Sequence, residues 1–284
     1  MRRRRHLPKP TDRIRLGASG LTVSPFCLGM VGSPKVVIDA FEAGINFFFV
    51  TADMHWPYYE PLRRGLRALL RSRPGLRDEI VLAAACYPTQ PEFNTMPFSE
   101  VTDCAPWLER IDVAVMGGSY AHDFAPRLPI YMDHRRQRLE GIRAIGATFH
   151  ERAVVSAAVN HGLVDVAFVR YNPEHPGAAS DVFPQMDASS RVPVYNFKST
   201  WGYLPDETFD SLGLPADSWR PHISDYYRFA LTPTHISGIL CAPSTPRELR
   251  DMLDAVDRGP LSAGEQNYLI NLSRLASGEV ELAR

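Results

Sequence analysis

Residues 36–54 read VVIDAFEAGINFFFVTADM, and the change of pattern in the middle of this stretch decides the fold. From Val36 to Ala43 the apolar residues fall at helical spacing, and Gly44 supplies a helix stop that takes left-handed backbone at no steric cost. From Ile45 the chain turns into β-branched and aromatic residues, interrupted only by Asn46 before Thr51. A strand that is apolar on both faces is one covered on both sides. The stretch therefore predicts a helix over Val36–Gly44 running into a doubly covered parallel strand over Ile45–Met54.

Outward from it the same alternation recurs. Apolar strand-like runs are expected at Thr22–Met30, Glu79–Pro88, Asp112–Tyr120, Ile142–His150, Val164–Asn172, Val192–Ser199 and Ile236–Pro243, which with Ile45–Met54 makes eight. Helical runs between them are expected at Tyr59–Arg73, Ser99–Arg110, Arg135–Gly141, Glu151–Gly162, Ser224–Leu231 and Thr245–Val256. Eight strand-then-helix units predict an α/β protein of the (β/α)8 TIM barrel class. After Asn172 the helix is obscured by Pro173, Pro176, Gly177 and Pro184, and Trp201–His222 reads as a long loop of the kind that carries function. An extra C-terminal helix, Ser262–Ser277, is expected outside the barrel or across one end. The expected organisation is a flexible basic tail over residues 1–12 and a single barrel domain over 13–284.

Composition bounds the partners. Lys and Arg total 31 against 32 Asp and Glu, a net charge of −1, so no long-range field draws in nucleic acid or anionic lipid. A small-molecule substrate is expected, with no nucleic acid and no membrane; the oligomeric state is not legible. Cys27, Cys86, Cys104 and Cys241 form no CxxC pair, which points to reduced thiols and a cytoplasmic location. The basic Met1–Arg5 runs into His6, Leu7 and Pro8 rather than an apolar segment, so it reads as a frayed tail and not a secretory leader.

In such barrels the chemistry sits at the C-terminal ends of the strands. That rule selects Asp53, His55, Trp56, Cys86, Tyr87, Ser119, Tyr120, His122, Asp123, Thr148, His150, Glu151, Arg170, Asn172, Glu174, His175, Lys198, Ser199 and Ser244.

Several segments, in order, resemble the aldo/keto reductase superfamily. RIRLGASGLTVSPFCLG (13–29) resembles its N-terminal hairpin and first barrel strand. AFEAGINFFFVTA (40–52), IRAIGATFH (142–150), RYNPEHPGA (170–178), FKSTWG (197–202), DYYRFAL (225–231) and APSTPRELRDML (242–253) resemble later landmarks, over about Arg13 to Leu261. The resemblance implies an aldo/keto-reductase-type barrel with an N-terminal hairpin that binds NADP(H) in an extended pose and reduces carbonyls. It departs from the family at the catalytic tetrad. In VTADMHW (50–56) Val50 aligns with the aspartate and His55 with the tyrosine; Ala85, or Cys86 if the register slips by one, aligns with the lysine, and Gly117 with the histidine. Without that tetrad nothing acidifies a tyrosine, and losing general acid–base help forfeits on the order of 10²- to 10⁴-fold in rate.

His55 stands where the family has its acid, and histidine transfers protons near neutrality. Asp53 is placed to orient it, and Tyr58 lies beside it. The competing reading is a packed wall in which Asp53 and His55 pair above Trp56, Tyr58 and Tyr59. His122 and His150 are further acid–base candidates, although His122 beside Asp123 and His150 before Glu151 also suit loop ion pairs or helix starts. His55, Cys86, His122 and His150 have zinc-compatible chemistry without metal-site spacing, so no metal is expected. Cys86, among alanines, reads as a buried thiol, and Ser119 with His122 lacks a hydrolase elbow.

For the cofactor, the resemblance points to Thr148, Asn172, Phe197 and Lys198, with Phe197 or Tyr195 stacking on nicotinamide. Ser244 and Thr245 precede Pro246 at a helix start, a phosphate-binding geometry that is also an ordinary cap. Ser244 stands where the family often has an arginine for the 2′-phosphate, and Arg247 or Arg250 is placed to substitute. The expected function is a divergent aldo/keto-reductase-like oxidoreductase. A non-redox cyclase, lyase or hydrolase on the same barrel, or a non-catalytic ligand-binding protein, are the alternatives.

Overall fold

The computed structural model describes residues 5–51, 53, 55–90 and 92–279. The first four residues of the basic tail, Met54 at the expected end of the second barrel strand, and residues 280–284 lie outside the described residues.

Eight parallel strands close into a barrel: β3 (Phe26–Leu28), β4 (Phe47–Thr51), β5 (Val81–Cys86), β6 (Val113–Ser119), β7 (Ala144–Phe149), β8 (Val166–Arg170), β9 (Val194–Phe197) and β10 (Gly238–Cys241). Each pairs with its sequence neighbour, and β10 pairs with both β9 and β3 to complete the ring. A short antiparallel hairpin, β1 (Ile14–Arg15) with β2 (Thr22–Val23), precedes it. The helices are α1 (Pro34–Glu42), α2 (Glu60–Ser72), α3 (Met96–Cys104), α4 (Ala121–Gln137), α5 (Val155–Asn160), α6 (Ala178–Asp181), α7 (Asp206–Ser211), α8 (Ile223–Leu231), α9 (Pro246–Asp257) and α10 (Ala263–Ala276). None of the described helices is long and apolar enough to cross a membrane.

The barrel interior is filled by rings. Phe47 meets Tyr195 edge-on at 5.5 Å, and Phe168 lies 5.7 Å from Tyr195 and 5.5 Å from Phe49. Phe47 and Phe49 point inward together because alternate residues of a strand share a face, and the next inward position on β4 is Thr51.

Several elements differ from the sequence expectation, each for a local reason. The run Thr22–Met30 is divided: Thr22–Val23 belongs to the hairpin, Phe26–Leu28 to the barrel, and Pro25 between them has no N–H for a ladder. The helix expected at Arg135–Gly141 is instead the end of a longer one, Ala121–Gln137, whose Pro126 and Pro129 read as breakers. It persists because Phe124, Arg127 and Tyr131, at helical spacing, are all buried. Glu151–Gly162 splits into a 3₁₀ turn and α5, and Ser99–Arg110 likewise shortens to α3 before the 3₁₀ turn at Pro106. The loop at Trp201–His222 contains the six-residue α7.

The base of the barrel is held by carboxylates. Asp112, fully buried, accepts from Arg77 at 2.8 Å, Arg110 at 3.2 Å, Arg143 at 2.9 Å and the Leu82 N–H at 2.9 Å. Replacing one partner of a buried ion pair strands the other charge. Asp112→Ala should therefore cost about 3–5 kcal/mol in urea unfolding, because Arg77, itself buried, keeps its charge without a counter-charge; a loss below about 1 kcal/mol would show that the arginines find other partners.

Candidate active site

The strand ends of β3, β4, β5, β7, β9 and β10 enclose a cavity of about 410 Å³ at the C-terminal mouth. Its walls are Gly29, Met30, Phe49, Thr51, His55, Tyr59, Tyr87, Thr148, His150, Phe197, Lys198, Ser199, Thr200, Tyr227, Leu240, Cys241 and Ala242. The lining is mostly aromatic and aliphatic, with a few convergent polar groups, the usual make-up of a small-molecule site.

His55 and Asp53 form a hydrogen-bonded pair at its edge. The Asp53 carboxylate lies 2.9 and 3.1 Å from His55 Nδ1 and also accepts the His55 backbone N–H at 3.0 Å. These bonds assign the proton of the neutral ring to Nδ1 and leave Nε2 as the reactive nitrogen. The His55 side chain is 45% exposed and that of Asp53 16%, so the pair is reachable from the cavity without being wholly solvated. Tyr58 is 66% exposed and does not line the cavity; Tyr59, which the sequence reading placed in packing, does. Burial first, then the neighbouring Tyr87, Cys27 and Asp53, pushes the Tyr59 hydroxyl far above its ordinary range, and burial with Asp53 pushes Tyr87 up to about 12.

Apart from His55, the positions aligned with the family tetrad are apolar. Val50 is buried off the cavity, and the β4 residues that reach the lining are Phe49 and Thr51, the latter with a buried hydroxyl that has no hydrogen-bond partner among the described residues. Ala85 is fully buried beside Thr51 in the ladder. Cys86 turns away toward Tyr131 and Arg127, and burial raises its thiol to about 12, so it is no nucleophile. At Gly117 a Cβ would stand 2.8 Å from the Tyr87 ring, so Tyr87 fills the space a side chain there would need.

Across the cavity lies a second imidazole. His150 packs on Phe197 with ring centroids 6.0 Å apart and on Tyr120 at 5.7 Å. Its pKa is lowered by burial first, then by the Lys198 and Arg170 charges. Lys198 lies in the cavity wall with left-handed backbone, φ 57°. Asn172 is not in the wall; fully buried, it donates to the Lys198 carbonyl at 2.8 Å and accepts the His175 N–H at 2.8 Å, fixing that turn. Thr148 lines the cavity and accepts the Gly118 N–H at 2.7 Å.

The remaining candidates stand apart. His122 stacks on Tyr120 at 5.7 Å outside the cavity. Ser244, Thr245 and Arg247 are also outside it. Thr245 caps α9 by accepting the Glu248 N–H, the Glu248 carboxylate accepts the Ser244 N–H at 2.8 Å, and Arg247 lies exposed near Asp251. No three metal-ligating side chains converge among the described residues. Sequence reasoning passed over Met30, Phe49, Thr51, Tyr227, Leu240 and Cys241; the alternation Phe47, Phe49, Thr51 was the signal available for two of them.

No protein-family model and no curated protein matches this chain. Solved structures do. The aldo-keto reductase AKR11C1 from Bacillus halodurans in its holo form is 16% identical and superposes with a TM-score of 0.64 over 92% of this chain and 96% of its own. A thermostable aldo-keto reductase, Tm1743, in complex with the inhibitor epalrestat is 16% identical, with a TM-score of 0.65 over 92% and 99%. The apo form of AKR11C1 gives 17%, 0.61, 92% and 96%.

The fold is that of the aldo-keto reductases. At this identity the likeness is one of architecture, so the chemistry of this barrel has to be argued from its own side chains.

Two measurements test the geometry. Gly117→His should destabilise the protein by about 1–3 kcal/mol through overpacking against Tyr87, and adding Tyr87→Ala should remove most of that cost; strictly additive effects in urea unfolding would show that the two sites do not touch. In NMR titration His150 should protonate at lower pH than an ordinary histidine, and Lys198→Met should move that titration upward, since a nearby cation disfavours imidazolium.

Proposed function

We propose that this chain is a divergent aldo/keto-reductase-like oxidoreductase with a remodelled site, in which His55, oriented by Asp53, gives the proton to a small carbonyl substrate in the mouth cavity. The observation that carries this is the His55–Asp53 pair at the cavity edge, with Nδ1 held at 2.9 Å and Nε2 free to act. Imidazolium donates from Nε2, and the carboxylate opposite Nδ1 keeps the ring in place and stabilises its charged form, as carboxylates do for catalytic histidines.

The cavity residues fit the ring end of NADP(H). Phe197 offers a buried aromatic face in the wall, and the unpaired Thr51 hydroxyl suits a polar ring substituent. Thr148 and Lys198 are the other wall residues toward which the cofactor is placed. When bound, the nicotinamide supplies a hydride. Tyr87 and Tyr59 keep water from the acid side, and their raised pKa values keep both as neutral phenols.

A second reading, a non-redox enzyme using the same acid, is favoured by one observation. Glu248 already occupies the Ser244 N–H at the start of α9, so a phosphate there must first displace a carboxylate.

Fluorescence titration and thermal shift with NADP(H) separate the readings: saturable micromolar binding is expected, and no response at millimolar cofactor would remove the oxidoreductase reading and favour a non-redox enzyme or a non-catalytic ligand-binding protein. With NADPH present, generic aldehydes should turn over slowly or not at all. On a true substrate His55→Gln should cut turnover by about 10²- to 10⁴-fold. Brisk aldehyde reduction by the His55→Gln protein would place the acid elsewhere.

A further inference from the structure

The cavity lining carries one full charge. Its Tyr59 and Tyr87 are neutral phenols, whereas Lys198 is a cation, and Arg170 lies near enough to act with it on the His150 imidazole. Among the described residues neither Lys198 nor Arg170 pairs with a carboxylate. The Lys198 ammonium instead lies 4.5 Å above the ring of Trp201, itself 48% exposed at the rim.

A surface lysine resting on an indole is common and by itself says little. Its backbone distinguishes this one. A non-glycine residue in left-handed conformation is strained and persists only where its surroundings hold it. Here the fully buried Asn172 holds it through the Lys198 carbonyl. The fold thus fixes the root of the one lysine in a wall that also holds Phe49, Tyr87, Phe197 and Tyr227, while its ammonium rests at the rim on Trp201. Flat aromatic walls select a flat ligand, and a cation without a counter-charge at one end selects an anion there.

We propose that Lys198 is a specificity-determining residue, and that the substrate is a fused-ring or extended aromatic acid whose carboxylate meets the Lys198 ammonium while its reacting oxygen lies toward His55. This rests on the reading of the mouth cavity as the substrate site, but not on the presence of a nicotinamide cofactor. Phosphate groups of a dinucleotide share the anionic chemistry, and the test separates the two sources.

The probes are 2-naphthoate and its neutral isostere 2-naphthamide, titrated by calorimetry into the intact chain. The acid should bind about tenfold more tightly than the amide, the discrimination that one charge-assisted contact provides. Lys198→Met should bring the ratio to near one without weakening the amide, and Lys198→Arg should retain the preference; unchanged circular dichroism and melting temperature establish that both variants fold. Equal affinities for acid and amide in the wild type would overturn the proposal. So would a Lys198→Met protein that loses NADP(H) affinity but keeps the acid preference, since the ammonium would then serve a cofactor phosphate. An acid preference that depends on Lys198 in a protein that binds no NADP(H) would support the proposal while removing the oxidoreductase reading.

Discussion

Arg127 is fully buried, and its guanidinium donates to the carbonyls of Gly117 at 3.0 Å and Cys86 at 2.9 Å. Those carbonyls end β5 and β6, where the ladder irregularity between Met116 and Ser119 interrupts regular pairing. A buried carbonyl without a donor is costly, so the mouth keeps its shape only while the guanidinium bridges both strands. Asp123, one turn earlier on α4 and 3.7 Å away, supplies the counter-charge and also accepts the Tyr120 N–H that starts the helix. From there the dependence runs to the site: Tyr87 follows Cys86, its ring covers Gly117, and His55 packs on that ring with centroids 5.8 Å apart. The position of the proposed acid is thus set by an arginine that never meets the cavity.

The opposite end of the barrel uses charge for cohesion. Asp165 accepts from Arg135 at 2.8 Å, the Ile145 N–H at 2.9 Å and the Ala18 N–H at 3.2 Å, tying the hairpin to β7 and α4, while Asp112 gathers its arginines beside β5 and β6. At the base the buried carboxylates stand side by side with their cations. At the mouth Lys198 has no such partner and Thr51 no bond among the described residues. That asymmetry is what separates a stability face from a ligand face in barrels of this kind.

How much of this was legible follows from the distance over which each signal acts. The apolar runs at Ile45–Thr51 and Val81–Cys86 announce buried strands because every residue in them is covered, and the period change at Gly44 needs nothing outside the segment. The His55–Asp53 pair was legible for the same reason: two residues apart, they meet by local geometry. Helix α4 was not, because Pro126 and Pro129 are judged by their local cost while the compensating burial of Phe124, Arg127 and Tyr131 is tertiary. An arginine inside a helix reads as a solvated face, which hides Arg127. Strand alternation turns Thr51 and not Val50, the residue aligned with the family aspartate, to the cavity, a facing that the alignment by itself does not give. The Ser244 turn looks ready for phosphate until Glu248, four residues on, is seen to occupy its N–H.

The local character of the His55–Asp53 pair has an evolutionary consequence in physical terms. A tetrad drawn from three strands needs each strand's register, twist and neighbours to be right at once, so losing one member degrades the rest. A histidine bonded to a carboxylate two residues away carries its own orientation and asks of the barrel only a wall to lean on, here Tyr87. Behind that unit Val50, Ala85 and Gly117 are buried, and Tyr87 fills the space that a side chain at 117 would need. The barrel itself is held by interior rings such as Phe47 and Tyr195 and by the base carboxylate Asp112, and these lie outside the cavity lining.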